Sequence, residues 1–348
     1  MAKIRPCVAV DAMGGDFGPD VVVPGAVAAA RGRKIDLILV GVESRINAAL
    51  GKLDVRGVGI KIAPATEIAG MDEKPTETMR RKKDTSIQVC SKLVRDGLAD
   101  GLVSAGNSGT TLACGMFIIG RIPGVERPAL AAFLPTEKRP IVLIDVGANV
   151  DCKPLHLMQF GIMADVLARD LLGFSNPRVG LMSIGEEEGK GNLQVIEAFE
   201  LFRMSSLNFV GNVEGRDLFT GDVDVVVCDG FVGNVALKLA EGLGSSLGRI
   251  LRGELKRGFF AKIGTILALA ALKRFSRLMD YAEYGGAPLI GLKGIAIVCH
   301  GKSNAKAIAN AVDMAATFVT KKANDHLEEN LAVNKDFTLF AHKRSDQP

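Results

Sequence analysis

Eight short apolar blocks punctuate the chain: CVAVD, IDLILVG, GIKIAPA, DGLVSAG, PIVLIDVG, RVGLMSIG, VDVVVCDG and GIAIVCHG. Each has the length of a strand, and nearly all end in Gly, Asp, Ser or Asn, residues that favour turns. Within a block the residues are apolar almost throughout rather than at every second position, which is the pattern of strands covered on both faces. Helix-length segments lie between several blocks. The spacing therefore predicts an α/β fold with a mainly parallel, doubly wound sheet between two helix layers. In such folds ligands gather at the carboxyl ends of the strands, where helix N-termini present free N–H groups. The polar residues that follow each block are the first candidates for chemistry.

Two blocks share a longer pattern. DGLVSAGNSGTTLA and VDVVVCDGFVGNVALKLA both run from strand to small polar turn to Gly and then to an Ala/Leu-rich helix. The likeness fits a duplicated unit, and it fits equally the repeated grammar of α/β folds.

Composition narrows the class. With 348 residues, 48% of them hydrophobic and 24% charged, the chain can bury one large core or two moderate ones. Its six cysteines include no C-x-x-C and several lie in apolar runs, which predicts reduced thiols in a cytoplasm and no zinc site. No signal-like block opens the chain, and no apolar run reaches the roughly 18 residues that span a bilayer. The net charge of +4 is small but unevenly placed. Between Arg249 and Arg277 stand eight basic residues, including Arg249, Arg252, Lys256 and Arg257, against one acid, Glu254. The rest of the chain is slightly acidic.

The strand ends supply the candidate residues. In SAGNSGTT, Gly106 and Gly109 let backbone approach a ligand while Asn107, Ser108 and Thr110 offer hydrogen bonds, unless the stretch is only a glycine turn with an N-cap. IDVGANVDCKP places Asp145, Gly147, Asn149, Asp151 and Lys153 on one loop, more polar groups than a cap requires. SIGEEEGKGN carries three glutamates and Lys190; the run suits a solvated loop, with Lys190 the member best able to meet a phosphate or an acidic partner. CHGKSNA contains GKS, but Ala296 stands where a P-loop needs Gly, so Lys302 argues little for a nucleotide. His300 stands at a strand end, where an imidazole either protonates a leaving group, binds an anion or merely packs; Cys299 beside it points to the opposite face. CDGFVGNVALK brings Asp229, Gly230, Gly233, Asn234 and Lys238 onto a strand-to-helix turn, with Asn234 and Lys238 one helical turn apart.

Four blocks in order, VDAMGGDFGPDVVVPGAV, SAGNSG, DGFVGNVALK and YGGAPLIGLKG, resemble the phosphate acyltransferases of bacterial phospholipid synthesis, the PlsX type. The resemblance spans roughly residues 5–320. It implies transfer of a long-chain acyl group from acyl carrier protein to inorganic phosphate, giving an acyl phosphate that a membrane-bound glycerol-3-phosphate acyltransferase consumes. It also implies a three-layer α/β/α fold of the isocitrate/isopropylmalate dehydrogenase type, a homodimer, no cofactor or metal and no nucleic acid partner. Phosphate is then the nucleophile, so no catalytic Ser or Cys is required. Asp11 and Asp16 would repel an anion and are read as loop-ordering residues.

On this reading, phosphate is expected among loops at one shared sheet edge, held by Gly106, Asn107, Ser108, Gly109, Gly147, Asn149, Lys190, Asp229 and Gly230, with Asn234, Lys238 and His300 catalytic. Residues 1–325 form a single catalytic domain and 326–348 a tail. Residues 248–283 project as a helical hairpin broken at Gly258 and Gly264. Its basic flank steers the acidic carrier protein, and its apolar tip, with Leu267 and Leu269, enters the inner face of the cell membrane or buries in the dimer. A nicotinamide-dependent dehydrogenase lacks its adenosine loop and paired-Asp metal motif here, and a membrane scaffold would leave the polar strand ends idle.

Overall fold

The computed structural model describes residues 5–278 and 280–334, except the side chain of Tyr281. In chain order the strands are β1 (Cys7–Asp11), β2 (Asp36–Gly41), β3 (Ile60–Pro64), β4 (Gly101–Ser104), β5 (Ala129–Leu134), β6 (Ile141–Ile144), β7 (Arg178–Met182), β8 (Asn208–Val213), β9 (Val225–Val227), β10 (Ala287–Ile290) and β11 (Ile295–Val298). The helices are α1 (Pro19–Gly32), α2 (Glu43–Leu50), α3 (Pro75–Arg81), α4 (Ser86–Arg95), α5 (Ser108–Cys114), α6 (Pro154–Leu167), α7 (Leu193–Met204), α8 (Gly230–Leu255), α9 (Phe259–Leu267), α10 (Leu269–Leu278), α11 (Ala305–Lys321) and α12 (Ala323–Val333).

All eleven strands join one sheet in the order β3-β2-β1-β4-β11-β10-β5-β6-β9-β7-β8. Successive side chains of a strand enter different cores. Val8 and Val10 pack with α1 and α11, while Ala9 packs with α4, so the sheet is covered on both faces and the three-layer expectation holds. The all-round apolar sequence of α6 has the matching consequence: every residue from Leu155 to Leu167 is buried.

Strand direction departs from the expectation of one shared edge. β1, β2, β3, β4 and β11 run together, β10 is antiparallel to β11 and to β5, and β5 is antiparallel to β6. β6, β9, β7 and β8 are mutually parallel and therefore run opposite to the first group. Counting outward from the β10/β5 pair, β11 corresponds to β6, β4 to β9 and β1 to β7. The two look-alike segments are β4–α5 and β9–α8, so they occupy equivalent places in the two halves, at opposite edges of the sheet.

Two boundaries also move. The expected tail begins inside α12, whose Leu327 and Leu331 are buried in the main core; residues 335–348 lie outside the described residues. After the 26-residue α8, about 39 Å long at 1.5 Å per residue, the chain does project, for neither α9 nor α10 has a buried residue. Gly258, with φ 75°, makes the first break, but Gly264 lies within α9 and the second break falls at Ala268.

Candidate active site

Opposed strand directions divide the polar strand ends into two clusters. The first gathers the ends of β1, β4 and β11. Asp11 is buried, and its carboxylate accepts hydrogen bonds from the Ser104 hydroxyl at 2.7 Å and the Met13 N–H at 3.2 Å. The Ser104 oxygen accepts in turn from the Gly106 N–H at 3.1 Å. Burial pushes the Asp11 carboxyl above its ordinary range, opposed by hydrogen bonds from Ser86, Ser104, Met13 and Gly14. The backbones of the first two loops touch: a Cβ on Gly14 would stand 2.7 Å from the Gly106 nitrogen, so only glycine fits. The β11 loop joins through the Asp16 N–H, which donates to the Gly301 carbonyl at 2.9 Å.

A strap, residues 66–84, crosses this cluster. Asn107 donates from its amide to the Met71 carbonyl at 2.6 Å and the Glu73 carbonyl at 3.3 Å, while its oxygen caps α5 at the Thr110 N–H. Lys82 ties the strap to itself through Glu73 at 2.5 Å and the Ile68 carbonyl at 2.7 Å. Phe17, Ile68 and Met71 leave an apolar, exposed rim beside it. On the β11 side, Lys302 is exposed and its N–H donates to the His300 Nδ1 at 3.2 Å. Ser303 is buried, with no partner for its hydroxyl among the described residues. Asn304 caps the Ala307 N–H at the start of α11.

The second cluster gathers the ends of β6 and β9, with the β7 loop along the same edge. Here Asp145 is the hub. Its carboxylate accepts from the N–H groups of Leu130, Gly147, Ala148 and Asn149 and from the Asn149 amide, at 2.7–3.2 Å. Burial raises its pKa and these donors pull it back. Asn149 also donates to the Pro128 carbonyl, and its own carbonyl accepts from the Gly230 N–H at 2.7 Å. A Cβ on Gly233 would stand 1.9 Å from the Asp145 carbonyl oxygen. Asp229 caps α8 through the N–H groups of Phe231 and Val232. His156, near the start of α6, accepts the Lys153 N–H on Nδ1 at 2.9 Å, so its Nε2 carries the proton that reaches Glu126 at 2.9 Å.

The expected site residues thus fall in two places. Gly106, Asn107, Ser108, Gly109 and His300 belong to the first cluster, with Asp11 and Asp16. Gly147, Asn149, Asp229, Gly230, Asn234 and Lys238 belong to the second, with Lys190 on the adjacent exposed loop. The expected set of Asn234, Lys238 and His300 is not brought together, because β9 and β11 point in opposite directions. Asn234 rests against Gly147, and Lys238 is paired with Glu241 at 2.9 Å. The amides of Asn107 and Asn149 are spent on the fold rather than left for a ligand. Cys299 is buried and its thiol is pushed to about 12, which removes it as a nucleophile. Ser104, Ser303 and His156 were not singled out from the sequence; a serine closing the apolar block GLVS was the one local signal.

The family model described as fatty acid synthesis protein matches residues 7–326. A phosphate acyltransferase of Nitratidesulfovibrio vulgaris is 65% identical over 334 residues, covering 96% of this chain and 97% of that one. That of Lawsonia intracellularis is 61% identical over 337 residues, with 96% and 97% covered. Among solved structures, a phosphotransacetylase from Streptococcus pyogenes superposes with a TM-score of 0.65 at 18% identity, covering 92% of this chain and 95% of that one. The EutD phosphotransacetylase from Staphylococcus aureus gives 0.61 at 16%, with 91% and 95% covered, a likeness of fold. This chain belongs to the fatty acid synthesis protein family, the PlsX family of phosphate acyltransferases.

Proposed function

We propose that this enzyme transfers a long-chain acyl group from acyl carrier protein to inorganic phosphate at the first cluster. A phosphate oxygen attacks the thioester carbonyl, the tetrahedral intermediate collapses with cleavage of the C–S bond, and the proton of hydrogen phosphate passes to the departing sulfur. Products are acyl phosphate and the free carrier thiol, and no protein nucleophile takes part. What the protein must supply is position and an environment for developing negative charge.

The observation that carries the placement is the meeting of three strand-end loops in backbone contact, beneath a strap with an apolar rim. α1 and α11 begin there, and the Ser303 hydroxyl and Lys302 ammonium lie on the same loop. Phe17, Ile68 and Met71 suit the first carbons of an acyl chain. The rim of the second cluster exposes Asp151, Glu186, Glu187 and Glu188 beside Lys190, with Glu186 paired to Arg216.

Carrier protein, dimer and membrane belong to the same reading. Arg249, Arg252, Lys256 and Arg257 form a basic flank that steers an acidic carrier. Phe231, Val235, Leu239, Leu243, Leu247 and Ile250 are exposed along one stripe of α8, the face that a second copy would cover. No described helix is long and apolar enough to cross a membrane. Phe260, Ile266 and Leu267 of α9 are exposed and flanked by basic residues, which suits shallow insertion among anionic lipids at about 1 kcal/mol per basic residue. The membrane-bound glycerol-3-phosphate acyltransferase would then receive a poorly soluble product where it is made.

The deciding assay incubates the protein with acyl carrier protein thioester, with and without inorganic phosphate, and traps product with hydroxylamine as the acyl hydroxamate. Thiol release that depends on phosphate and matches hydroxamate is the expected result. Release independent of phosphate refutes acyl transfer to it. Wild-type protein should also sediment with anionic vesicles while Leu267→Glu/Leu269→Glu stays in solution; aggregation of that variant without lipid would place the tip in an interface instead.

A further inference from the structure

At the sheet edge where β1 and β2 begin, away from the first cluster, Arg5, Arg31, Arg33, Lys34 and Arg56 line one half-open cleft of about 230 Å3. They come from three places: the segment leading into β1, the end of α1 with the turn into β2, and the turn ahead of β3. No carboxylate is among the lining side chains. Three acids pair with them. Asp36 is 3.6 Å from Arg5 and Asp313 is 3.5 Å from Arg33. Asp54 holds Arg56 through two contacts of 2.8 and 2.9 Å, and its carbonyl accepts from Arg31. Lys34 has no ion pair among the described residues.

Five cations against three paired carboxylates leave the concavity net positive, and a bound anion complements that excess. Compensation of the negative carboxyl end of α1 accounts for Arg31, which lies in its last turn. It does not account for Arg5 or Arg56, which come from other segments. Pairing with Asp36 and Asp313 restrains Arg5 and Arg33, which lowers the cost of ordering them around a ligand, and guanidinium N–H groups outside these pairs can donate to phosphate oxygens. The volume lies below the roughly 300–1,000 Å3 of cavities that enclose drug-sized molecules, so a compact ligand fits.

We propose that this cleft binds a small polyanion carrying two or more linked phosphate groups, the class of pyrophosphate and the nucleoside di- and triphosphates. The site is separate from the one that handles inorganic phosphate as substrate.

The full chain is titrated calorimetrically with pyrophosphate and with ADP at about physiological ionic strength, the salt screening long-range attraction. Saturable binding of one pyrophosphate per chain is expected, with at least a tenfold loss in Lys34→Glu/Arg56→Glu. The phosphate KM of thioester cleavage should be unchanged in that variant. Equal affinities for the two ligands mean that only the phosphates are read, tighter ADP that the nucleoside is read as well, and either supports the site. The single variant Lys34→Ala, which disturbs none of the supporting pairs, should lose severalfold on its own and covers the case in which the double variant fails to fold. Absence of binding at millimolar pyrophosphate overturns the proposal. So does binding that survives in both variants, binding displaced by inorganic phosphate at its KM, or an affinity no better than that for sulfate. The assay of acyl transfer is independent of all these outcomes, so either conclusion can fail alone.

Discussion

The two loop clusters are built on one plan and differ in what their buried aspartate holds. In the second, Asp145 takes four main-chain N–H groups and one amide, most of them from the four residues that follow it in the chain. That loop is closed upon itself. In the first, Asp11 takes the Ser104 hydroxyl, which passes the connection to the Gly106 N–H on a different strand end. Its hydrogen bonds order its own turn through the Met13 N–H and also reach a separate loop through Ser104. A carboxylate with five donors is an anchor of the fold, whereas one that links neighbouring loops through a hydroxyl sets their spacing, and spacing is what a reaction between two bound substrates requires.

The sharpest way to break that contrast is to remove each carboxylate. Asp145→Ala leaves several buried N–H groups without acceptors, each costing about 1–3 kcal/mol though not additively, so a loss of about 3–5 kcal/mol is expected by denaturant unfolding. Asp11→Asn keeps the shape and an acceptor for Met13. It should cost less than about 1.5 kcal/mol in stability yet lower kcat about a hundredfold, the penalty of a misplaced reacting group. Comparable stability losses in the two variants, or full activity in Asp11→Asn, would show that the clusters do the same job.

Why one edge was expected where there are two can be traced to particular strands. Eight apolar blocks were legible, and each became a strand. β5, β8 and β10 were not. ALAAFL is rich in alanine, NFVGNV is broken by Gly211 at φ 101° beside an irregular register, and APLI is four residues long with a proline inside. β10 and β5 are the strands through which the sheet reverses direction, so missing them hid the reversal and left Asn107, Asn234 and Lys238 seemingly together. Local pattern specifies that a strand exists; its direction depends on partners distant in the chain. The glycines and turn residues of both clusters were legible for the opposite reason, since backbone contact as close as that at Gly14 restricts the residue type locally. Asp11 was legible as a loop-ordering residue, but its partner Ser104, 93 positions away, was not.

A smaller effect separates the clusters by pH. Burial lowers the pKa of His156 from 6.5, so the folded state keeps the ring neutral, with Nδ1 free to accept from Lys153. The unfolded chain binds the proton more readily. This contribution to stability is therefore complete above about pH 6.5 and is lost as the pH falls through the lower folded value, at most about 1.4 kcal/mol for each unit between the two. His156→Asn should flatten the decline between pH 7 and pH 5 in denaturant unfolding, while the pH profile of kcat stays as in the wild type. A profile of kcat that moves with His156 would bring the second cluster into the chemistry.

The smallest expected effect tests the contrast most directly. Lys238 is a cation within one helical turn of Asn234, on a helix that begins at the second cluster, and by sequence alone it is the natural phosphate ligand there. Its ammonium is 2.9 Å from Glu241, and both side chains are partly exposed at 52% and 38%, an arrangement worth about 0.2–1 kcal/mol. The opposite strand direction separates it from Asp11, Gly106 and Ser303. Lys238→Ala should therefore change stability by less than about 1 kcal/mol and the phosphate KM by less than about twofold, since a twofold change is only about 0.4 kcal/mol. A tenfold rise in phosphate KM would need about 1.4 kcal/mol of binding, more than a solvated lysine already paired to a glutamate is placed to give. Observed, it would put the anion at the second cluster and reverse the assignment of the two sites.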